Sequence, residues 1–360
     1  MKAGLAIEEL ATEIMRQNEI KEDYVVNSPS LLMEQFGSEL YLRVLDSDGI
    51  DRLEPLSIAE NAHRQIGARL GIPVKYYSRM LEEGRGLLTE NVNYWFRQNP
   101  EQRMLRVLEG KVRAFLSNRY LRIDNHEVVC AVTPVIGEIP NVQFVSNQIT
   151  ENHLFMKVVN PNMQREIAPG KTVQAGMVVC NSETGLGTFY VSPMIYCPEL
   201  EFGMISESGK VKRTHSGPIY RTSEHFLLRP EEFLMADDNA FLEKIRTSVR
   251  EALDEETFEQ TVTRMQEAVE AHMNETDVPY VVNVAANEFG ITDTEEQGIL
   301  DRLLDSQDMT RFGLASAVTA QSVASESYER ATDLEEISYR MLTMPTSQWE
   351  RMNNIARNAD

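Results

Sequence analysis

Hydrophobic positions along this chain repeat with two periods, near 3.6 and near 2. They divide it into helical ends and a strand-rich middle. Leu5, Ile7, Leu10 and Ile14, with acidic residues between them, predict an amphipathic helix over 5–20. The run 40–45 reads as a strand. Ser57, with Glu60 three residues on, has the form of a capping box, and it predicts a helix from there to Leu70, ended by Gly71. Pro73 opens the next helix, which places Tyr76, Tyr77, Met80 and Leu81 on one side and stops at Gly84. A third stretch, 87–98, carries Tyr94, Trp95 and Phe96, aromatics expected in the core.

From there the period changes. The runs 104–108 and 112–116 flank Glu109-Gly110, a pair suited to a tight hairpin turn. Asp124 is placed to cap a helix through Val135. Strand signals follow at 142–146, 153–159, 172–179 and 188–195, punctuated by Gly185-Leu-Gly187 and Pro198. The segments 241–273, 293–304, 312–328 and 334–344 return to a helical period. The fold class expected is α+β, with a central antiparallel sheet flanked by helices and an acidic, helical C-terminal part. The divisions drawn are 1–101, a helix and strand region; 102–229, a β-rich core; and 230–360, the acidic helices.

Charge changes this picture. The 360 residues carry a net charge of −21. Residues 231–310 hold 21 acidic and 5 basic side chains, so the other 280 residues carry only −5. A near-neutral body beside an acidic C-terminal part leaves room for a local basic groove. Three cysteines, Cys130, Cys180 and Cys197, are too few and odd in number for a disulfide framework, which fits a reducing cytoplasm. Residues 1–20 have no long apolar core, and no run of about 18 apolar residues occurs, so neither a signal peptide nor a membrane span is expected.

The basic, aromatic run from Lys111 to Asp124 is the leading candidate site. At strand period Lys111, Arg113, Phe115, Ser117 and Arg119 share one face, and Val112, Ala114 and Leu116 the other. An outward basic face would seat phosphates on its cations, with Phe115 and Tyr120 stacking bases at roughly 1–3 kcal/mol each. Arg122 extends this set. The alternative is an ordinary half-exposed strand. A second basic segment, Lys210, Lys212 and Arg213 with His215, Arg221, His225 and Arg229 beyond it, either lines the same groove or forms a solvated hairpin. Asn181, in the polar cluster Asn181-Ser-Glu-Thr184, is placed to touch a ligand or to satisfy a turn. Arg311, at a helix start, reaches a phosphate, a cap or an acidic helix.

Other motifs fall short. Gly170-Lys-Thr172 lacks a phosphate loop's upstream glycine, the position being Arg165. His126 and Cys130 make only two ligands of a zinc site, and Cys180 with His153 or His215 has no supporting signature. No cofactor or metal is expected.

Three segments together, Arg113–Asn125, Val179–Gly185 and Thr310–Thr319, with 70–76 upstream, resemble in order and spacing the phage/plasmid-like family known as domain of unknown function 932. The resemblance spans about residues 55–340. One turn departs from it: Cys197-Pro-Glu-Leu stands where the family tends to have Cys-Thr-Asn-Gly. The resemblance implies a mobile-element protein in a bacterial cytoplasm, with a more distant similarity to single-strand annealing recombinases that self-assemble. It implies no catalytic residue.

The function expected is therefore nucleic-acid binding, single-stranded DNA favoured, with annealing or recombination in view. The expected partners are a second copy in a homo-oligomer and a protein at the acidic C-terminal helices, with no membrane. The rival readings are a metal-dependent nuclease using Glu183 with Asp124, and a non-catalytic assembly factor.

Overall fold

The computed structural model describes residues 1–207, 209–213, 226–227, 236–273 and 277–355, with side chains described except at 213, 226–227, 236–242 and 354–355. The architecture is α+β, and the strands form two sheets.

The chain opens with helix α1 (Ile7–Ile20), which buries Leu10 and Ile14. Strands β1 (Lys21–Asn27), β2 (Leu31–Phe36), β3 (Glu39–Val44) and β4 (Leu56–Ile58) precede the helices α2 (Glu60–Arg69), α3 (Val74–Glu83) and α4 (Arg85–Gln98). The hairpin β5 (Gln102–Leu108) and β6 (Lys111–Ser117) turns at Glu109-Gly110, both at positive φ (52° and 71°), as a primed turn requires.

These strands and the short β13 (Phe226–Leu227) form the first sheet, in the order β13-β1-β5-β6-β4-β3-β2. The β5–β6 hairpin thus pairs with N-terminal strands, antiparallel to β1 and parallel to β4. The division drawn at 101/102 cuts through this sheet. Helices α2 to α4 cover one face, where Ile66, Tyr77, Leu88, Val92 and Phe96 pack on Leu42, Leu105 and Phe115.

Helix α5 (Asn125–Gly137) starts at Asp124, which forms a capping box with Glu127. The second sheet holds β7 (Gln143–Ile149), β8 (Leu154–Ala168), β9 (Lys171–Asn181), β10 (Phe189–Cys197) and β11 (Phe202–Ile205) in the order β11-β10-β9-β8-β7, with β12 (Val211–Arg213) also on β10. One face packs on α1, α5 and α6 (Ala236–Glu251). Farther along the same strands Val173, Ala175, Ile195 and Cys197 pack with the remaining helices: α7 (Glu255–Glu270), α8 (Val278–Phe289), α9 (Asp293–Ser306), α10 (Arg311–Gln321), α11 (Tyr328–Thr343) and α12 (Thr346–Ile355). Helix α11 also covers the opposite face, where Phe155 and Cys180 meet Tyr328. Among the described residues no helix is long and apolar enough to cross a membrane.

Several expectations change. Ser57 lies in β4, and α2 begins after Ala59, because residues 57–58 pair with Lys111 and Val112. The helical run 241–273 breaks at Asp254, which caps α7 by accepting from the Thr257 amide at 2.9 Å. Of the three aromatics on α4 only Phe96 is core; Tyr94 and Trp95 are 51% and 36% exposed.

Candidate functional site

The alternation expected along β6 is interrupted at Arg113. Arg106 pairs with Ala114 and Val107 with Val112, so Arg113 is the extra residue of a β-bulge. The bulge returns Val112 to the side of Phe115, and both pack into the cluster with α2 to α4. Ala114 and Leu116 face the opposite way, with Val25, Met104 and Tyr120. The face expected to be outward and basic is therefore not formed: Phe115 is fully buried, and Arg113 is 5% exposed. An interior strand covered on both sides has no open face for a base.

Arg113 turns instead into an ion cluster between the two sheets. Its Nη2 donates to Glu183 Oε2 at 2.9 Å, and the other oxygen of Glu183 accepts from the Asn125 amide at 2.7 Å. Arg106, fully buried on β5, donates to both oxygens of Asp23 (3.0 and 3.2 Å), to Asp124 at 2.6 Å and to the Glu183 carbonyl at 3.1 Å. Lys21 reaches Asp124 at 2.7 Å, and Arg122 reaches Asp23 at 3.0 Å. Four cations thus hold three carboxylates. Burial alone would raise the pKa values of Asp124 and Glu183, but Arg106 and the other cations outweigh it, hold Asp124 well below the usual carboxylate range and lower Glu183 as well.

The same junction takes up Tyr120 and Asn181. The Tyr120 hydroxyl donates to the Ser182 carbonyl at 3.0 Å, and Asn181 Nδ2 donates to the Ile123 carbonyl and to Asn125 Oδ1, both at 2.8 Å. Gly185, at φ +75°, lies so close to Leu116 that a Cβ would come within 2.7 Å of its Cδ2. Two of the segments that carry the family resemblance, 113–125 and 179–185, therefore interlock. The third does not join them. Arg311 is buried in the helical layer, where Nη1 donates to the Met344 carbonyl at 3.0 Å.

Glu183 and Asp124, the carboxylates of the nuclease reading, do come together. Each is engaged by cations, which leaves a divalent ion no open face. Among the described residues no group of three or more His, Cys, Asp or Glu side chains is placed to hold a metal.

The remaining cations are dispersed. Lys111 is half-exposed and bonds Glu151 at 2.7 Å. Arg119 is exposed in the turn after β6. Lys210 bonds Glu336 at 2.6 Å, and its ammonium lies 3.8 Å from the centre of the Tyr190 ring. Lys212 is exposed. The Arg213 backbone pairs with Phe189, while its side chain, like His215, Arg221, His225 and Arg229, lies outside the described residues.

Two clefts hold concentrated polar chemistry. One, of about 240 Å³, is lined by Lys210 and Lys212 on one side and by Glu329, Asp333 and Glu336 of α11 on the other, with His153 and Tyr190 at its walls. There Glu329 bonds His153 Nδ1 at 3.4 Å and Thr150 Oγ1 at 2.5 Å. The His153 bond, against the effect of burial, brings its pKa down to about 2.

The other cleft, of about 340 Å³, opens where α2 and α4 end beside β5 and β6. Arg69, Arg103, Gln98 and Glu101 line its rim and walls, and Phe96 and Phe115 its floor. The Arg103 guanidinium lies 6.0 Å from the centre of the Phe115 ring. Burial lowers the Arg103 pKa, contact with Glu101 opposes this, and the neighbouring Arg69 adds to the lowering. Tyr94 and Trp95 stand four and three residues before Gln98, on the same side of α4, with ring centres 5.0 Å apart. Neither Arg69 nor Arg103 stands in the basic run singled out in the sequence. The signal for Arg103 was the hairpin register, which carries it across from Ser117 at the far end of the ladder.

Comparison with protein-family models, with curated proteins and with solved structures finds no match to this chain.

Proposed function

We propose that the chain is a nucleic-acid-binding protein that favours single-stranded DNA, and that its binding surface is the α2/α4 cleft and not the β6 face. The observation that carries this reading is the pairing of two guanidinium groups, Arg69 and Arg103, in one open cleft, with two exposed rings, Tyr94 and Trp95, one turn of α4 before its lining residue Gln98. Cations for phosphate and rings for bases are the two ingredients of sequence-independent single-strand binding. The resemblance to the phage/plasmid-like family extends this proposal to a bacterial cytoplasmic setting, self-assembly and a role in annealing or recombination. The acidic helices α7 to α9 are the surface that a protein partner would meet.

The test is fluorescence anisotropy of labelled single-stranded and duplex DNA over a series of salt concentrations. Single strands bind more tightly, the affinity falls steeply with salt, and Arg69→Glu weakens it. No binding at low salt would sink the reading.

A further inference from the structure

We infer that the Arg69/Arg103 cleft takes a terminal phosphate, the phosphomonoester at one end of a strand, in preference to a phosphodiester within it. This rests on the reading above. The cleft is a pocket and not a track. Its floor is closed by Phe96 and Phe115, both fully buried, and its volume of about 340 Å³ lies at the small end of ligand sites. A continuous strand needs cations spaced along a groove. Here three cations of the basic run are engaged elsewhere, Arg113 by Glu183, Arg122 by Asp23 and Lys111 by Glu151, and only Arg119 of that run stands outside these pairs.

Within the pocket, Arg103 is 8% exposed and shares its charge with Glu101, whose side chain is 56% exposed and able to turn outward. That movement leaves two guanidinium forks facing one cavity. A phosphomonoester near neutral pH offers up to two negative charges and three acceptor oxygens, enough to satisfy both forks. An internal diester offers one charge and two free oxygens. The Gln98 side chain, also in the lining, adds an amide donor.

The experiment uses the full chain and internally labelled oligothymidylate with a 5′ phosphate, a 3′ phosphate or hydroxyls at both ends. One phosphorylated strand is expected to bind roughly tenfold or more tightly than the hydroxyl-ended strand, the size of an added charge-assisted hydrogen bond. Thymidine monophosphate carrying its phosphate at that same end competes. Arg69→Gln, at an exposed position that leaves the fold intact, removes the preference, and Arg103→Lys, which keeps the charge but loses the fork, reduces it. Equal affinity for all three strands overturns the inference while leaving strand binding in place. An end preference that survives Arg69→Gln overturns the assignment to this cleft. Absence of binding by every strand removes both readings.

Discussion

The carboxamide of Asn93 on α4 clasps the backbone of Met33 on β2. Its Oδ1 accepts from the Met33 amide at 2.7 Å, and its Nδ2 donates to the Met33 carbonyl at 2.8 Å. Among the described residues strand β2 is the last of the first sheet, and no further described strand bonds these outward backbone groups. Asn93 supplies what a further strand would, and so blunts an edge open to intermolecular pairing. Asn93→Ala is expected to lower stability by about 1–3 kcal/mol for each buried group left unpaired. It is also expected to produce concentration-dependent oligomers through the β2 edge. Thermal unfolding and light scattering after size exclusion check both; a monomer of unchanged Tm would contradict the role.

Arg106 is the hub of the ion cluster, touching Asp23, Asp124 and the Glu183 carbonyl without access to water. Arg106→Met leaves buried carboxylates without their main counter-ion. The expected loss is about 3–5 kcal/mol, the cost of breaking one partner out of a buried pair. Urea unfolding measures it. A loss below about 1 kcal/mol, the range of exposed pairs, would show that the cluster is hydrated in solution.

The His153–Glu329 contact predicts a pH dependence with a definite sign. The Glu329 pKa is lowered in the folded chain, from 4.5 to about 2. A depressed carboxylate stabilises the fold above its unfolded pKa, and that contribution fades as pH falls from about 4.5 toward 2. Glu329→Gln removes the contribution, so the stability difference from the wild type is present at neutral pH and shrinks on acidification through that window. Denaturation at a series of pH values reads it directly. A difference that stays constant or grows with acid would refute the contact.

Trp95 offers an optical report on the proposed surface. It is 36% exposed one turn of α4 before the cleft residue Gln98, whereas Trp349, the second tryptophan, is 3% exposed in the helical layer. Single-stranded DNA should quench and shift the emission of Trp95, and Trp95→Phe should abolish that response while also weakening binding by about 1–3 kcal/mol, the worth of one stacked base. Quenching that persists in the variant would place the strand elsewhere.

Local chemistry alone determined much of this molecule. The helices α1, α3, α4 and α5, the primed turn at Glu109-Gly110 and the strands from β7 to β10 follow from period, caps and turn residues, because each depends on neighbours within a few positions in the chain. What only the tertiary structure decided depends on partners far away. The bulge at Arg113 reverses the strand alternation there, and period-2 counting contains no term for an inserted residue. Glu183, 70 residues distant, then takes the guanidinium that looked free for a phosphate. Tyr94 and Trp95 are exposed, although their type suits a core, because α4 turns only one face to the sheet, the face of Leu88, Val92 and Phe96. Arg69 and Arg103, unremarkable in the sequence, meet in one cleft because α2 ends and β5 begins at the same corner of the first sheet.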